Sequence, residues 1–381
     1  MFEGRIARRH LIVATTALLL AGCKVIPTGP KTPPPPPPVD TLPTDQQRHR
    51  IALLVPLTGP NAAIGQSIAN ATTMALLDTN AKTIRITSYD TAAGPAAAAK
   101  KAIGEGAKLI LGPVQGDDVA AIASVARGAR VPLITYTGDE GVAKSDIFQM
   151  GTTPFNSIFR TVKYARGRGA LRFGLLAPNG DYGSRASAAF TSAVKAAGGT
   201  IVASSTYDRS NTSVVSAAQR LRGRGTFDAI LIADGTRFAV MAAPNLKASA
   251  AASPRLLGTE LWSGESAVAK TPSLRGSWFA AVSDTRFRQF ADSYKARFGN
   301  APYRSATMGY DSVLLAVRVA RDWKVGAPFP AARLTDRDGF LGLDGAFRFG
   351  ANGAIERSLE VREARAGSVG VVSAAPDKFA D

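Results

Sequence analysis

Few residues in this chain could do chemistry, and their positions exclude the common catalytic sites. The two histidines are His10 and His49, and the single cysteine is Cys23. All three come before the first apolar run of core length, which places His10 in a leader segment and His49 in a linker. We therefore expect a folded body without His or Cys, which excludes Ser-His-Asp and Cys-His catalysis and the usual zinc ligands.

One serine motif and two acidic pairs remain as catalytic candidates. Ser192 to Lys195 matches the Ser-x-x-Lys motif of penicillin-interacting enzymes by letter, but it lies inside a predicted helix and no Lys-Thr-Gly follows it. Asp117-Asp118 and Asp139-Glu140 could act as acid and base or bind calcium, although adjacent loop acids are usually caps and solvated charge. No Gly-x-Gly-x-x-Gly or Walker loop occurs, so we expect no cofactor and no enzyme.

The first residues have the pattern of a secretory signal peptide. Three arginines precede an apolar run from Leu11 to Leu20, which is too short to cross a bilayer. Ala21 and Gly22 then lead into Cys23 in a pattern that resembles a lipobox. The resemblance implies that residues 1–22 are removed and that a lipid on Cys23 anchors the protein to a membrane. An ordinary signal peptide with an incidental cysteine is the alternative, and both imply export.

A proline-rich spacer over residues 23–50 separates Cys23 from the body. Pro33 to Pro38 are six consecutive prolines, which predict a polyproline II segment of roughly 20 Å. A plain disordered linker is the alternative and differs in stiffness alone. Lys24 is not the aspartate that retains lipoproteins inside in the best-known sorting rule, so the outer membrane is favoured over the inner.

The chain is strongly basic, with a formal net charge of +17. Residues 1–22 contain three Arg and one Glu, so the exported part has a charge of +15. This charge favours anionic partners, which outside the cytoplasm would be lipid headgroups, cell-wall polymers or an acidic protein face. Nucleic acid is not expected there. No dense Lys/Arg run occurs in the body, so we prefer to interpret the charge as a solvated, soluble surface, with an anionic partner as the alternative.

From Ile51 onward, apolar runs of strand length alternate with helical stretches in two series. In the first series we predict strands at 51–57, 84–89, 109–111 and from 131, with helices at 65–77, 95–103 and 117–127. In the second we predict strands at 172–177, 200–206, 228–232 and 256–258, with helices at 155–166, 184–197, 214–222 and 238–248. Two later helices, 286–298 and 306–323, precede short antiparallel strands over 340–372. This order predicts an α/β fold of two lobes with mainly parallel sheets.

Several short motifs occur together in the order and spacing of one known family. The motifs are Ile51 to Pro60 with Gly65, Ile110 to Pro113, Val131 to Ile134, Asp181-Tyr182-Gly183 and Gly309-Tyr310-Asp311. In these the chain resembles the type I periplasmic binding proteins of the leucine/isoleucine/valine-binding class. The resemblance implies a hinged clamp whose lobes are doubly wound sheets, with the ligand at the carboxyl ends of the strands. It also implies lobe 1 at 49–153 plus 285–345 and lobe 2 at 154–284 plus 346–381.

The resemblance further implies a ligand site between the lobes. Amino-acid binders of this class hold the ligand carboxylate with hydroxyls and backbone amides of lobe 1. The expected serine falls on Gln115 and Gly116, so this half of the site is altered, whereas the threonines fall near Thr137. Thr58, in the first motif, is a further candidate.

In lobe 2, binders of this class hold the ligand ammonium with a carboxylate and aromatic side chains. Tyr182 matches the cleft tyrosine and Glu260 falls where the acid would lie, with Asp234 as another candidate. For Tyr182 a structural turn residue, and for Glu260 a solvated loop acid, are the alternatives.

A narrower branch is also similar, namely lipoproteins like the binding-protein domain of the penicillin-binding protein activator (LpoA-like). The motifs shared with it are Leu257-Gly258-Thr259-x-x-Trp262, Tyr294 to Phe298 before Pro302, Tyr310-Asp311 and Phe340 to Phe349. The best-known members carry a helical-repeat domain ahead of this one, and here the proline tether alone precedes Ile51.

Two functions follow from these resemblances. The preferred one is a non-catalytic regulator of peptidoglycan synthesis that binds a penicillin-binding protein (murein synthase), because the tether suits reaching a fixed partner. The alternative is a substrate-binding lipoprotein that hands an amino acid or a similar small ligand to an ABC permease.

Overall fold

The computed structural model describes residues 47–247, 253–376 and 379, and these residues belong to one compact unit. The predicted signal peptide, Cys23 and residues 24–46 of the spacer lie outside the described residues, as does Ala248, the predicted end of one helix. The helices are α1 Ala62–Asp78, α2 Pro95–Gly104, α3 Gly116–Gly128, α4 Pro154–Gly167, α5 Asp181–Ala196, α6 Ser213–Arg222, α7 Thr236–Leu246, α8 Ser266–Lys270, α9 Asp284–Phe298 and α10 Ala306–Ala320. The strands are β1 His49–Val55, β2 Ile84–Asp90, β3 Leu109–Leu111, β4 Leu133–Thr135, β5 Ile147–Gln149, β6 Arg172–Pro178, β7 Thr200–Tyr207, β8 Ala229–Ile232, β9 Arg255–Leu257, β10 Trp278–Ala281, β11 Phe340–Gly342, β12 Gly345–Phe349, β13 Ile355–Arg357, β14 Glu360–Arg365 and β15 Ser368–Ser373.

The first lobe is built on a parallel five-stranded sheet in the order β2-β1-β3-β4-β5. The inner strands β1, β3 and β4 are mainly apolar, as expected for strands that are buried on both faces, whereas the edge strand β2 also carries polar side chains. Side chains from α1 and α10 contribute to the core on one face of the sheet, and α2 and α3 contribute to the core on the other. The sheet is therefore covered by helices on both sides, as the alternation of apolar and helical segments predicts.

The second lobe repeats this arrangement with a seven-stranded sheet in the order β15-β14-β10-β9-β8-β6-β7. The strands from β10 to β7 are parallel, and β14 and β15 add an antiparallel edge. Helices α4 and α5 pack on one face and α6 and α7 on the other. The predicted fold class, two mainly parallel α/β lobes, is confirmed.

The chain crosses between the lobes three times, after β5, after β10 and after β13. The third crossing differs from the expected one, which placed residues 346–381 in lobe 2. Phe347, Phe349 and Ile355 lie on β12 and β13 and pack in the core of lobe 1, together with β11 in a separate three-stranded sheet. These aromatic and branched side chains bury their apolar surface against the first sheet, so the chain passes to lobe 2 after Arg357.

The prediction that the folded body lacks histidine is wrong. His49 is the first residue of β1 and is buried. Its ring stacks on Trp323 with the ring centroids 3.8 Å apart and the planes 10° from parallel. Burial lowers the pKa of His49, so the neutral imidazole belongs to the native state. The body thus begins at the strand and not after residue 50.

Two glycines of the quoted motifs allow close contact between a helix and the loop before it. A Cβ on Gly65 of α1 would lie 1.8 Å from the carbonyl oxygen of Pro56, and a Cβ on Gly183 of α5 would lie 1.7 Å from that of Pro178. Any side chain there would push the helix away from the end of the preceding strand. In both lobes the glycine therefore sets the first turn of the helix directly over the carboxyl edge of the sheet. None of the described helices is both long and apolar enough to cross a membrane.

Candidate functional site

A cavity of about 710 Å³ lies between the two lobes, at the edge where the parallel strands end. Residues from all three crossings line it, among them Thr153, Val282 and Leu359. Glu260, which follows β9, lies in its wall on the side of lobe 2. A cavity of this size suits a small molecule, and its position agrees with the general rule that open α/β sheets bind ligands outside the carboxyl ends of their strands.

Glu260 of this wall is in direct contact with Tyr182, which does not itself line the cavity. The Tyr182 hydroxyl lies 3.0 Å from Glu260 Oε1 and 3.0 Å from Thr259 Oγ1. Glu260 Oε2 is buried and has no hydrogen-bond partner among the described residues. Burial raises the pKa of Glu260 to about 7, because a charge away from water is costly. The carboxyl group can therefore accept a donor from a ligand, above all a cationic one.

Asp234 lies in a different environment, although it follows the neighbouring strand β8. Its carboxylate accepts hydrogen bonds from the Tyr207 hydroxyl at 2.6 Å, from Arg209 Nε at 2.9 Å and Nη2 at 2.8 Å, and from the Gly235 amide at 2.8 Å. Asp234 is buried but does not line the cavity. The fold itself supplies its donors, and the role of Asp234 is structural.

This closed network also positions the cavity wall. The guanidinium of Arg209 lies 5.4 Å from the ring centre of Tyr182, a cation–π contact. The Asp234 carbonyl accepts from Trp262 Nε1 at 2.9 Å, and Trp262 belongs to the 3₁₀ turn that starts at Glu260. A Cβ on Gly258 would lie 2.2 Å from the Trp262 ring. The buried Trp262 indole therefore fixes the position of this turn and holds Glu260 at the cavity.

The four candidates in lobe 1 are not part of the cavity wall. Thr58 is exposed and donates to Asp90 Oδ2 at 2.6 Å, which lowers the pKa of Asp90 to about 2. Gln115 is exposed and precedes α3. Thr137 Oγ1 accepts from the Asp139 amide at 3.2 Å.

Gly116 completes this group and has Thr137 as a close neighbour. A Cβ on Gly116 would lie 3.2 Å from Thr137 Oγ1. The loops that carry these candidates still reach the cavity, since Val114, Tyr136 and Gly138 line it.

An ion pair joins the lobes beside the cavity. Arg185 of α5 lies 3.3 Å from Asp139, and both side chains are about one-third exposed. The Phe155 amide donates to Glu140 Oε1 at 3.3 Å. The Asp139-Glu140 pair therefore makes contacts between lobes rather than with each other. An acid is placed on lobe 1 close to Thr137, where the resemblance implies a grip for a ligand carboxylate.

Sequence reasoning missed the ionic groups on the hinge side of the cavity. Arg304 pairs with Asp344 at 2.6 Å, and Asp344 also accepts from the Thr307 hydroxyl at 2.8 Å. Arg288, one turn into α9, is exposed and makes no hydrogen bond or ion pair with the part of the chain that the structure describes. These residues lie on α9, α10 and the β11–β12 turn, which come late in the chain and lack a recognisable motif.

Asp311, in contrast, belongs to a motif that the sequence did show. It is fully buried beneath the hinge and accepts from the Leu343 amide at 2.7 Å. A Cβ on Gly342 would lie 2.3 Å from its Oδ2. Burial and the nearby Asp344 raise the pKa of Asp311. The Gly309-Tyr310-Asp311 motif therefore serves the packing of β11 on α10 and does not reach the cavity.

The cavity has groups suited to binding and no arrangement suited to metal chemistry. Within residues 47–247, 253–376 and 379, no three His, Cys, Asp or Glu side chains are grouped so as to hold a metal ion. Glu260 and Arg288 instead place one acidic and one basic side chain along the same cavity.

Comparison with known protein families shows which family this chain belongs to. A model of periplasmic binding proteins matches residues 49–368. The chain belongs to the periplasmic binding protein family. An uncharacterised protein of Rickettsia prowazekii is 29% identical over 140 residues, which cover 36% of this chain and 38% of that relative.

Solved structures of similar fold include several from ABC transporters. A protein of Rhodospirillum rubrum described as a branched-chain amino acid ABC transporter has a TM-score of 0.73 at 21% identity, over 85% of this chain and 100% of the other. A periplasmic ligand-binding protein of a branched-chain amino acid ABC transporter from Burkholderia xenovorans has a TM-score of 0.67 at 18% identity, over 86% and 95%. A Desulfitobacterium hafniense substrate-binding protein in complex with Leu has a TM-score of 0.64 at 17% identity, over 85% and 100%.

These matches confirm the coarser resemblance, to leucine-binding-protein-like periplasmic binding domains. They do not extend to the penicillin-binding protein activator branch, which stays a prediction.

Proposed function

We propose that this protein is an exported, non-catalytic receptor that binds a small ligand with an ammonium group and delivers it to an ABC permease. The observation that carries the proposal is Glu260 Oε2, a buried carboxyl oxygen at the cavity wall without a partner among the described residues. Buried polar atoms in native proteins are almost always hydrogen-bonded, so an open one at a cavity calls for a donor from a ligand.

The surroundings of Glu260 support a cationic donor. The Tyr182 hydroxyl already donates to Oε1. Burial raises the pKa of Glu260, and a bound ammonium ion would lower it again because a nearby positive charge favours the ionised carboxylate. Arg288 at the same cavity offers a site for a ligand carboxylate. An amino acid or a similar zwitterion has both charges, and similar folds occur in ABC transporter binding proteins.

The cell envelope is the proposed location. The family is periplasmic, and the signal-peptide pattern before Cys23 adds export and a lipid anchor to the proposal. Delivery to a permease requires the inner membrane, whereas Lys24 favours the outer one, which suits the second candidate below.

Thermal unfolding with a panel of amino acids and their ammonium-free analogues tests this function. Free ligand at about one hundred times its Kd should stabilise the native state by about 2.7 kcal/mol. The Glu260→Gln variant should lose this shift, whereas Asp181→Asn, which removes an exposed acid of the same helix as Tyr182, should keep it. The proposal fails if no compound of the panel shifts the wild-type transition, or if the analogues without an ammonium group shift it equally.

A second candidate, regulation of peptidoglycan synthesis through a penicillin-binding protein, is favoured by the Asp139–Arg185 ion pair. This pair joins the lobes directly, and Gln115 stands where a ligand-binding serine would be expected. A contact between the lobes and an altered grip for a ligand carboxylate suit a docking role. The purified body should then raise the activity of a bifunctional penicillin-binding protein, and failure to recover any murein synthase from crosslinked cells would count against it.

A further inference from the structure

A basic groove lies at the opposite end of lobe 2 from the ligand cavity. Its volume is about 1060 Å³. Arg172 begins β6 and Arg255 begins β9, so the groove follows the amino edge of the sheet, whereas Glu260 marks the carboxyl edge. The groove is therefore separate from the cavity, and both can be occupied at once.

Cations from four separate segments line this groove. They are Arg168, Arg172, Arg222, Lys247, Arg255 and Arg275. The acid among the lining residues is Asp228, and Arg172 pairs with it at 3.2 Å. The remaining five positive charges have no carboxylate in the groove to balance them.

Three of these cations, Lys247, Arg255 and Arg275, are held close together. Arg255 is fixed with its guanidinium 4.3 Å from the centre of the Trp278 ring and donates to the Gly276 carbonyl. Lys247 Nζ donates to the Arg275 carbonyl at 3.0 Å. Burial and the nearby Arg255 lower the pKa of Lys247. Holding like charges in a concave site costs stability, so a bound anion would relieve a repulsion that the fold maintains.

The guanidinium groups of Arg222 and Arg275 are left for this anion. Both side chains are exposed, and neither makes a side-chain hydrogen bond or ion pair within the described ranges. They reach the groove from different segments, the end of α6 and the turn before β10. Guanidinium groups bind phosphate oxygens with two parallel hydrogen bonds.

We infer that this groove binds phosphate groups, and that its ligand is a molecule or headgroup that carries phosphate esters. Inorganic pyrophosphate is the soluble probe. Vesicles of phosphatidylglycerol and phosphatidylcholine in equal parts are the membrane probe, with pure phosphatidylcholine as the neutral reference. Binding should weaken as salt is added, because the cations are exposed.

Substitutions can distinguish binding in this groove from non-specific attraction to the positive charge of the whole protein. Arg222→Gln with Arg275→Gln should weaken binding about tenfold, as expected for the loss of charged hydrogen bonds. The matched control is Lys100→Gln with Lys101→Gln, which removes the same charge from exposed positions of α2 and should leave affinity within about twofold. If the double arginine variant does not fold, Arg168→Gln alone serves.

Each outcome decides the inference. Binding of pyrophosphate that depends on the arginines assigns a soluble phosphate ester, and arginine-dependent binding of charged vesicles alone assigns a lipid headgroup. Binding of neither probe, or equal losses in the arginine and lysine variants, overturns it. Ligands of the cavity should bind normally to the arginine variant, so failure here leaves the proposed receptor function untouched.

Discussion

Asp234 and Glu260 follow neighbouring strands of one sheet, yet the fold treats their carboxyl groups in opposite ways. Asp234 has four donors from Tyr207, Arg209 and the Gly235 amide. Glu260 has the Tyr182 hydroxyl on one oxygen and no partner from the described residues on the other. A buried acid that is fully paired stabilises the fold, whereas one left half-paired lowers stability and gains its partner on binding.

The largest expected effect on stability comes from removing the fully paired carboxylate of Asp234. Asp234→Ala leaves Arg209 and Tyr207 without their acceptor and should lower the free energy of unfolding by about 3 kcal/mol. Urea unfolding at neutral pH measures this loss. A loss below about 1 kcal/mol would mean that solvent replaces the carboxylate and that the network does not hold the cavity wall.

Replacing Glu260 should instead raise the free energy of unfolding. Burial raises the pKa of Glu260 from 4.5 to about 7, so its contribution to stability is fully present below pH 4.5 and is lost as the pH rises through 7. Glu260→Gln does not ionise and should be more stable than the wild type above pH 7, by up to about 3 kcal/mol. Near pH 4.5 the two proteins should unfold alike. A variant that is less stable than the ligand-free wild type at pH 8 would show that Glu260 is paired after all.

A smaller effect is expected from removing one donor of Asp234. Tyr207→Phe deletes the hydroxyl that donates at 2.6 Å to a charged acceptor and should cost about 1.5 kcal/mol in urea unfolding. Tyr294→Phe is the matched control, because the Tyr294 hydroxyl accepts from the neutral Asn70 amide at 3.1 Å. Equal losses in both variants would indicate that the charge on Asp234 adds nothing to the bond.

The smallest effect concerns the ion pair between the lobes. Asp139 and Arg185 are partly exposed, so a double-mutant cycle with Asp139→Asn and Arg185→Gln should give a coupling of about 0.5 kcal/mol or less. A coupling near that of a buried pair would mean that this contact holds the two lobes together, which would favour the docking role.

The sheets could be predicted because their strands are continuous apolar runs, and Leu109–Leu111 is a clear case. The strands β5 and β10 were not predicted, since an apolar run of three or four residues is too short to show a period. His49 was assigned wrongly because its partner Trp323 lies far along the chain. The third crossing was placed too early for the same reason, as β12 packs on a sheet formed by the start of the body.

The candidate site divides in a similar way. The family resemblance implied Tyr182 and Glu260 as candidates for one ligand cleft, and the structure brings them into contact. The ionic residues of α9 and α10 could not be foreseen, because which helix face meets the cavity depends on how the chain returns to lobe 1. The position of Asp234 after a strand was predicted, but its hydrogen-bond partners were not. Its side-chain donors come from β7 and the loop that follows β7.

The order of strands in lobe 1 has a mechanical consequence. Strand β1 is hydrogen-bonded to β2 along one side and to β3 along the other. A force that reaches the body through the residues before His49 therefore loads two ladders in shear rather than peeling one edge strand. Many hydrogen bonds must break together in that geometry. The body should therefore withstand a force on its amino-terminal end that would unfold a protein whose first strand lay at the edge of its sheet.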